Sequence, residues 1–329
     1  MEKVEKCCMS ELEKRNFINS MKFIAICSVV NAHSIPNISG GPIFNFFIKF
    51  STEFGSLGVG IFFLISGFLF NNNYKIKDFF SKKIKSIIIP WLASGFIIYF
   101  YVYIRKGGLS FKTYLNFIIG NGSYLYYLTV LFIIYFIFLY IKNKYMILLL
   151  FFMSIISIKL TYINFFNNIN PYLNPFNWII YFVLGILLKQ YLDKVIFYCE
   201  KYLKLNIIIY LVLNYYIIYN NFSIGYWGKY SILLECLGIL IVIAIVNKYL
   251  KLKEIFNDIG RESYSIYLTH MIFAGAVVKL FSLSKLKISI IFSPLLVLIL
   301  SYLGIRVLRF LFDKYRLSWF INLIIGPKR

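Results

Sequence analysis

Two side chains able to hold charge or move a proton stand eleven positions apart in one apolar run. Lys22 and His33 bracket Phe-Ile-Ala-Ile-Cys-Ser-Val-Val-Asn-Ala. Eleven residues make about three turns of α-helix, so both side chains project from one face, roughly 16 Å apart along the axis. His270 ends the run Ile-Gly-Arg-Glu-Ser-Tyr-Ser-Ile-Tyr-Leu-Thr-His, which places it about 10 Å above the start of its own helix. These are the two histidines of the chain, and imidazole is the side chain whose ordinary pKa suits proton transfer near neutrality. Ionisable groups in apolar spans are costly and normally face a bundle interior or a wet cavity. Plainer readings stand beside this one. Lys22 can snorkel from one helix end, His33 can sit at the opposite interface, and His270 can make a packing hydrogen bond. Nothing in the spacing requires the two histidines to touch.

Further polar residues gather in order along the chain. The stretch Gly58-Val-Gly-Ile-Phe-Phe-Leu-Ile-Ser-Gly-Phe-Leu69 has the small residues that let helices approach, and Ser66 can hydrogen-bond across such a contact. Lys82, Lys83 and Lys85 precede Pro90; as point charges they suit phosphates, whether of a ligand or of lipid headgroups. Glu235 falls in an apolar span, where it could pair with Lys22 or line a cavity, and Glu53 could orient His33. HExxH, GxSxG and phosphate-cradling glycine motifs are missing, which argues against an ATP-driven pump. Five cysteines, Cys7, Cys8, Cys27, Cys199 and Cys236, show neither a disulfide framework nor zinc-ligand spacing.

The elements that must position these groups are membrane helices. Of 329 residues, 60% are hydrophobic and 15% charged, against about 25% charged in soluble domains, and mean hydropathy is +0.76. The fold class expected is all-α: a polytopic transmembrane bundle of about ten helices, near 16–35, 55–71, 84–104, 122–141, 145–163, 175–188, 205–221, 231–247, 263–283 and 288–309. A net charge of +22 would suggest nucleic acid in a soluble protein. Here 25 of the 35 Lys and Arg fall on one set of alternate connections. By the positive-inside rule that puts both termini in the cytoplasm and excludes a nucleic-acid role. The domain reading is a cytoplasmic arm at 1–15, a transmembrane domain at 16–310 and a basic cytoplasmic tail at 311–329. Residues 1–15 are too polar for a signal peptide. Segment 34–54, with Pro36, Gly40, Gly41 and Pro42, reads as an outer loop. Segment 164–175, Asn-Phe-Phe-Asn-Asn-Ile-Asn-Pro-Tyr-Leu-Asn-Pro, offers amides and rings to a sugar or simply caps the bundle. The apolar run 317–326 is too short to span and is expected along the inner interface.

On four stretches the chain resembles the membrane-bound acyltransferase 3 family, integral-membrane enzymes that modify bacterial surface sugars. The family's basic residue, ten residues, then His corresponds to Lys22 and His33. Its Phe-Phe-x-x-Ser-Gly-Phe matches Phe62 to Phe68. Its basic run before Pro matches Lys82, Lys83, Lys85 and Pro90. Its late Ser-Tyr-x-x-Tyr-Leu-x-His matches Ser263 to His270. There are departures. Lys22 replaces the commoner Arg, keeping charge and losing bidentate geometry. Ser86 stands where a second Arg is frequent. Tyr124-Leu125-Tyr126-Tyr127-Leu128 replaces a polar motif of larger members, and the chain looks like the short, stand-alone branch.

The resemblance implies transfer of an acyl group, most often acetyl, from cytoplasmic acyl-CoA (acetyl-CoA by default) to a hydroxyl of a cell-surface or lipid-linked glycan, in the bacterial cytoplasmic (inner) membrane. It implies His33 as base or acyl carrier, with Lys22 as the charge beside the donor. Lys82, Lys83, Lys85 and Arg261 are expected to hold the CoA phosphates. Ser66, Glu235, Ser263, Tyr267 and His270 are expected along the cavity, and no metal is expected. The alternative is a glycan or lipid transporter or flippase, which short Gly-containing spans and intramembrane cations also suit.

Overall fold

The computed structural model describes residues 9–38, 40–71, 76–103, 110–165, 169–284 and 286–328. Cys7, Cys8 and most of the N-terminal arm, Lys75, and residues 166–168 of the Asn-rich segment lie outside the described residues. Among those described, every regular element is helical.

Helix α1, Glu11–Ser34, begins at a capping box. The Ser10 hydroxyl accepts from the Glu13 amide at 3.2 Å, and the Glu13 carboxylate accepts from the Ser10 amide at 2.9 Å, which satisfies two otherwise orphaned donors. Helix α2, Pro42–Phe68, returns antiparallel to it. Segment 34–54 is therefore not a loop throughout: Pro42 opens α2, and two further turns and more are helical ahead of Glu53. Proline at the first helical position costs no hydrogen bond, so the turn signals at 40–42 mark a helix start.

The α1–α2 contact is backbone-close because its residues are small. A Cβ on Gly58 would stand 2.5 Å from the Ala25 carbonyl oxygen. The Ser28 hydroxyl donates to the Phe54 carbonyl at 2.6 Å, and the Asn31 amide to the Ser51 carbonyl at 2.7 Å. On another side α2 meets α8, Ile179–Gln190. There a Cβ on Gly67 would stand 2.0 Å from the Phe182 carbonyl oxygen, and one on Gly185 1.9 Å from that of Leu64.

The remaining helices surround this centre. They are α3 (Ile76–Lys83), α4 (Ile89–Tyr103), α5 (Phe111–Ile119), α6 (Tyr126–Tyr140), α7 (Lys144–Tyr162), α9 (Leu192–Lys201), α10 (Leu203–Tyr219), α11 (Ser231–Ile245), α12 (Glu254–Arg261), α13 (Ser263–Ser284), α14 (Ser289–Lys314) and α15 (Ser318–Ile325). Ile84–Ile88 is π-helical, just ahead of Pro90, which cannot donate to the Ser86 carbonyl. Among the described residues, six helices are long and apolar enough to cross a membrane, or seven if the bent pair Leu192–Lys201 and Leu203–Tyr219 is one span. Every span expected from sequence overlaps a helix, but α6 and α8 have 15 and 12 residues, below the ~20 of a simple crossing.

Helix α1 is not among the six. Its Asn19, Ser20, Ser28 and Asn31 are buried against α2, α11, α12, α13 and α14, so polar side chains sit inside the bundle. Apolar side chains face outward on α7 (Leu148, Leu149, Phe152, Ile156), α10 (Ile208, Leu211, Val212) and α14 (Leu303, Val307, Phe310). An inside more polar than its rim is how a bundle sits in lipid. The apolar run 317–326 forms α15, which packs on α4, α13 and α14 with Ile321 and Ile325 buried.

Candidate active site

A cavity of about 130 Å³ opens where α1, α2, the π-helical turn, α6 and the α12–α13 elbow meet. Its lining includes Lys22, Ser66, Lys83, Arg261, Ser263 and Tyr267, six of the residues expected from sequence. Three different helices thus bring three cations to one small space. The Lys22 ammonium donates to the Asn19 side chain one turn back at 3.3 Å. The Lys83 ammonium lies 3.3 Å from the Tyr135 hydroxyl and 4.6 Å from that ring's centroid, a cation–π seat that holds it over the cavity. Arg261 donates to Asp258 at 3.1 Å, while its buried Nε has no partner among the described residues. Lys82 and Lys85 are exposed and do not line the cavity.

Helix α13 carries the polar wall. Its first turn is fixed by a buried ion pair: Arg309 of α14 donates to Glu262 at 2.9 Å, to the Ser265 hydroxyl at 3.1 Å and to the Gly326 carbonyl at 2.9 Å. The Tyr264 hydroxyl donates to the Ile87 carbonyl at 2.7 Å, tying α13 to the π-helical turn. Ser66 Oγ and the Tyr127 hydroxyl lie 3.3 Å apart on the facing wall.

Above the cavity the rings continue. The Tyr267 hydroxyl donates to the Tyr124 carbonyl, and the Tyr124 hydroxyl donates back to the Leu268 carbonyl at 2.9 Å. His270 follows one turn on, fully buried. Its Nδ1 lies 2.8 Å from the Tyr267 carbonyl oxygen and 3.2 Å from that of Ile266. A carbonyl oxygen only accepts, so Nδ1 carries a proton. In the neutral ring the lone pair is then on Nε2, which has no partner among the described residues. The His270 ring centroid is 5.3 Å from that of His33 and 5.2 Å from that of Tyr124. His33 itself is exposed. The His33 ring therefore lies against a buried imidazole whose Nδ1–H is committed to backbone carbonyls.

Glu235 is buried beside Gly60 and the Tyr181 ring, and it is not part of the Lys22 cavity. Glu53 does not hold His33; its carboxylate accepts from the Gly225 amide at 2.6 Å and so fixes the connection before α11. Tyr124, Tyr127, Tyr135 and Tyr264 were not singled out by type or spacing. The aromatic cluster at 124–127 was visible in the sequence, but aromatics at helical spacing usually mean packing. Their use here depends on contacts with α3 and α13. Among the described residues, no three of His, Cys, Asp and Glu come together as a metal site.

The arrangement can hold an anion at the Lys22, Lys83 and Arg261 end and move a proton at the His33 and His270 end, with Lys22 and His33 about three turns apart on α1. Comparison with known proteins bears on this layout. No curated protein and no solved structure matches the chain. Residues 15–314, nearly the whole chain, match the acyltransferase 3 family model, described as an acyltransferase domain. With apolar helices around a polar centre, and with that match, the chain belongs to the acyltransferase 3 family and is a multi-pass membrane acyltransferase.

Proposed function

We propose that this protein is an O-acetyltransferase that moves an acyl group from cytoplasmic acyl-CoA to a hydroxyl of a cell-surface or lipid-linked glycan across the bacterial inner membrane. Ten crossings with both termini in the cytoplasm put Lys22 toward the donor and His33 toward the acceptor. The observation that supports this reading best is the contact between His33 and His270 above a cavity lined by three cations.

In this account Lys22, Lys83 and Arg261 face the donor from within the small cavity, with Lys82 and Lys85 on its cytoplasmic approach. His33 takes the proton of the acceptor hydroxyl as its oxygen attacks the thioester carbonyl carbon. The tetrahedral oxyanion then collapses, the C–S bond breaks, and the leaving thiolate takes that proton from the imidazolium. His270, with Nδ1–H committed to a backbone carbonyl, offers Nε2 to the same proton path. The ~16 Å along α1 splits the roles: Lys22 grips the donor and His33 works at transfer. Ser66, Ser263 and Tyr267 line the small cavity beside Lys22. The arm at 1–15 and the tail at 311–329 lie on the donor side.

Mass spectrometry of surface glycans from cells with and without the gene tests this. Loss of one acyl mass from a glycan is expected on deletion. An unchanged glycan acylation profile, with purified protein releasing no thiol from acetyl-CoA, would favour the transporter instead.

A further inference from the structure

Lys22 lines two spaces at once. Together with Leu69 it belongs both to the small cavity and to a wider one of about 830 Å³ beyond it. This vestibule lies between the first turns of α1, the end of α2 and the α8–α9 junction. Its cations are Lys14, Arg15, Lys22, Lys189 and Lys194. Glu11 and Asp193 oppose them, so positive charge is in excess. Lys14 is paired with Glu11 at 2.9 Å, and Lys189 donates to the Phe70 carbonyl at 2.9 Å, while Arg15 and Lys194 are exposed. Tyr191, 56% exposed, presents a ring in the same lining.

We propose that this vestibule seats the phosphorylated, nucleotide-like head of the acyl donor, with the slim acyl-bearing arm passing Lys22 into the small cavity. The inference rests on the acyl-CoA reading above and adds where the donor sits. A concave space of this size falls within the roughly 300–1,000 Å³ of small-molecule sites; the 130 Å³ cavity has room for a chain and not for a ring-bearing head. Arg15 supplies the planar fork that suits a phosphate, and Lys14 and Lys194 act as point charges. Tyr191 offers a flat face to a base. Anionic lipid headgroups share the phosphate chemistry. The wall that the vestibule shares with the small inner cavity at Lys22 and Leu69 favours a soluble donor that must deliver a reactive end inward.

The test uses the full chain in phosphatidylcholine nanodiscs, with adenosine 3′,5′-bisphosphate for equilibrium binding and acetyl-CoA and S-acetylpantetheine as donors. Arg15→Glu with Lys194→Glu should weaken bisphosphate binding at least roughly tenfold and raise the KM for acetyl-CoA alike. The same pair should leave the KM for S-acetylpantetheine, which has no nucleotide head, within about twofold. Reversing two exposed lysines elsewhere, Lys142→Glu with Lys144→Glu, should change none of these by more than about twofold. Equal loss in both double reversals, or no loss in the first, overturns the seat. If the first fails to fold, Arg15→Gln with Lys194→Gln is read by the same standard. Phosphatidylglycerol in the nanodisc that displaces the bisphosphate from wild type reassigns the seat to lipid and overturns the proposal. Wild type that releases thiol from acetyl-CoA yet ignores the bisphosphate overturns the seat alone. Wild type that binds the bisphosphate yet releases no thiol overturns the transfer reading alone.

Discussion

Lys22 stands where the vestibule and the inner cavity share a wall, and the proposed donor path turns on it. If its role is charge, Lys22→Arg keeps most of the acyl-transfer activity. Lys22→Ala then lowers kcat/KM by about 100-fold, the scale of losing one positioned electrostatic donor; the two are compared by thiol release from acetyl-CoA, and equal activity contradicts a charge role. Lys22 was legible because spacing on one helix is local information. Lys83 was legible only within its cluster. Adjacent helical positions differ by about 100° in direction, so Lys83 reaches Tyr135 while Lys82 stays outside. The contact of His33 with His270 joins positions more than 200 residues apart, and no local pattern encodes it. The same holds for the Nδ1–H tautomer of His270, which depends on where the Tyr267 and Ile266 carbonyls point.

At the scale of elements, apolar runs located the helices and misjudged their ends. Helix α2 starts at Pro42, because a Pro-Gly stretch can begin a helix as well as interrupt one. Helix α1 is polar for a membrane element and sits in the middle, where its Ser28 and Asn31 side chains find backbone partners on α2 and Ser20 donates to Asn257 of α12. The small residues of α2 were legible as a packing face; which helix they pack on was not. Gly67 is the sharpest instance. A Cβ there meets a backbone oxygen of α8 at 2.0 Å, which cannot move aside as a side chain can, whereas a Cβ at Gly275 meets nothing within 4 Å. Gly67→Ala should therefore destabilise the purified protein by about 1–3 kcal/mol, seen as a lower Tm. Gly275→Ala should be neutral or stabilising by up to about 1 kcal/mol. Equal melting of the two variants would mean that α2 and α8 are not in backbone contact.

At the scale of the molecule, composition made a membrane bundle plain, while the tertiary ties that close it were not legible. The tail is one such tie. Asp258 accepts from Arg261, from Lys328 at 2.6 Å, from Arg306 at 3.3 Å and from the Tyr302 hydroxyl. Burial pushes its pKa up, but Lys328, Tyr302 and Arg306 outweigh burial and hold it below the usual carboxylate range. A carboxylate with a depressed folded-state pKa stabilises fully above its unfolded value of about 3.9. That contribution is lost as pH falls through the lower, folded value. Hydrogen exchange in the segment ending at Lys328 should thus be slow at neutral pH and at pH 5, and should quicken in the acid below about pH 4. Asp258→Asn should show the fast exchange at every pH; a tail equally protected in the variant would show that the ion cluster does not hold it.

The account as a whole depends on an imidazole at the end of α1 doing the transfer. The most direct measurement is single-turnover thiol release from acetyl-CoA, with a glycan acceptor present, by purified wild type and His33→Ala in the same nanodiscs. Both should give the same Tm and bind adenosine 3′,5′-bisphosphate equally; wild type should release thiol, and His33→Ala should release it no faster than buffer. Thiol release by His33→Ala at the wild-type rate would contradict the account.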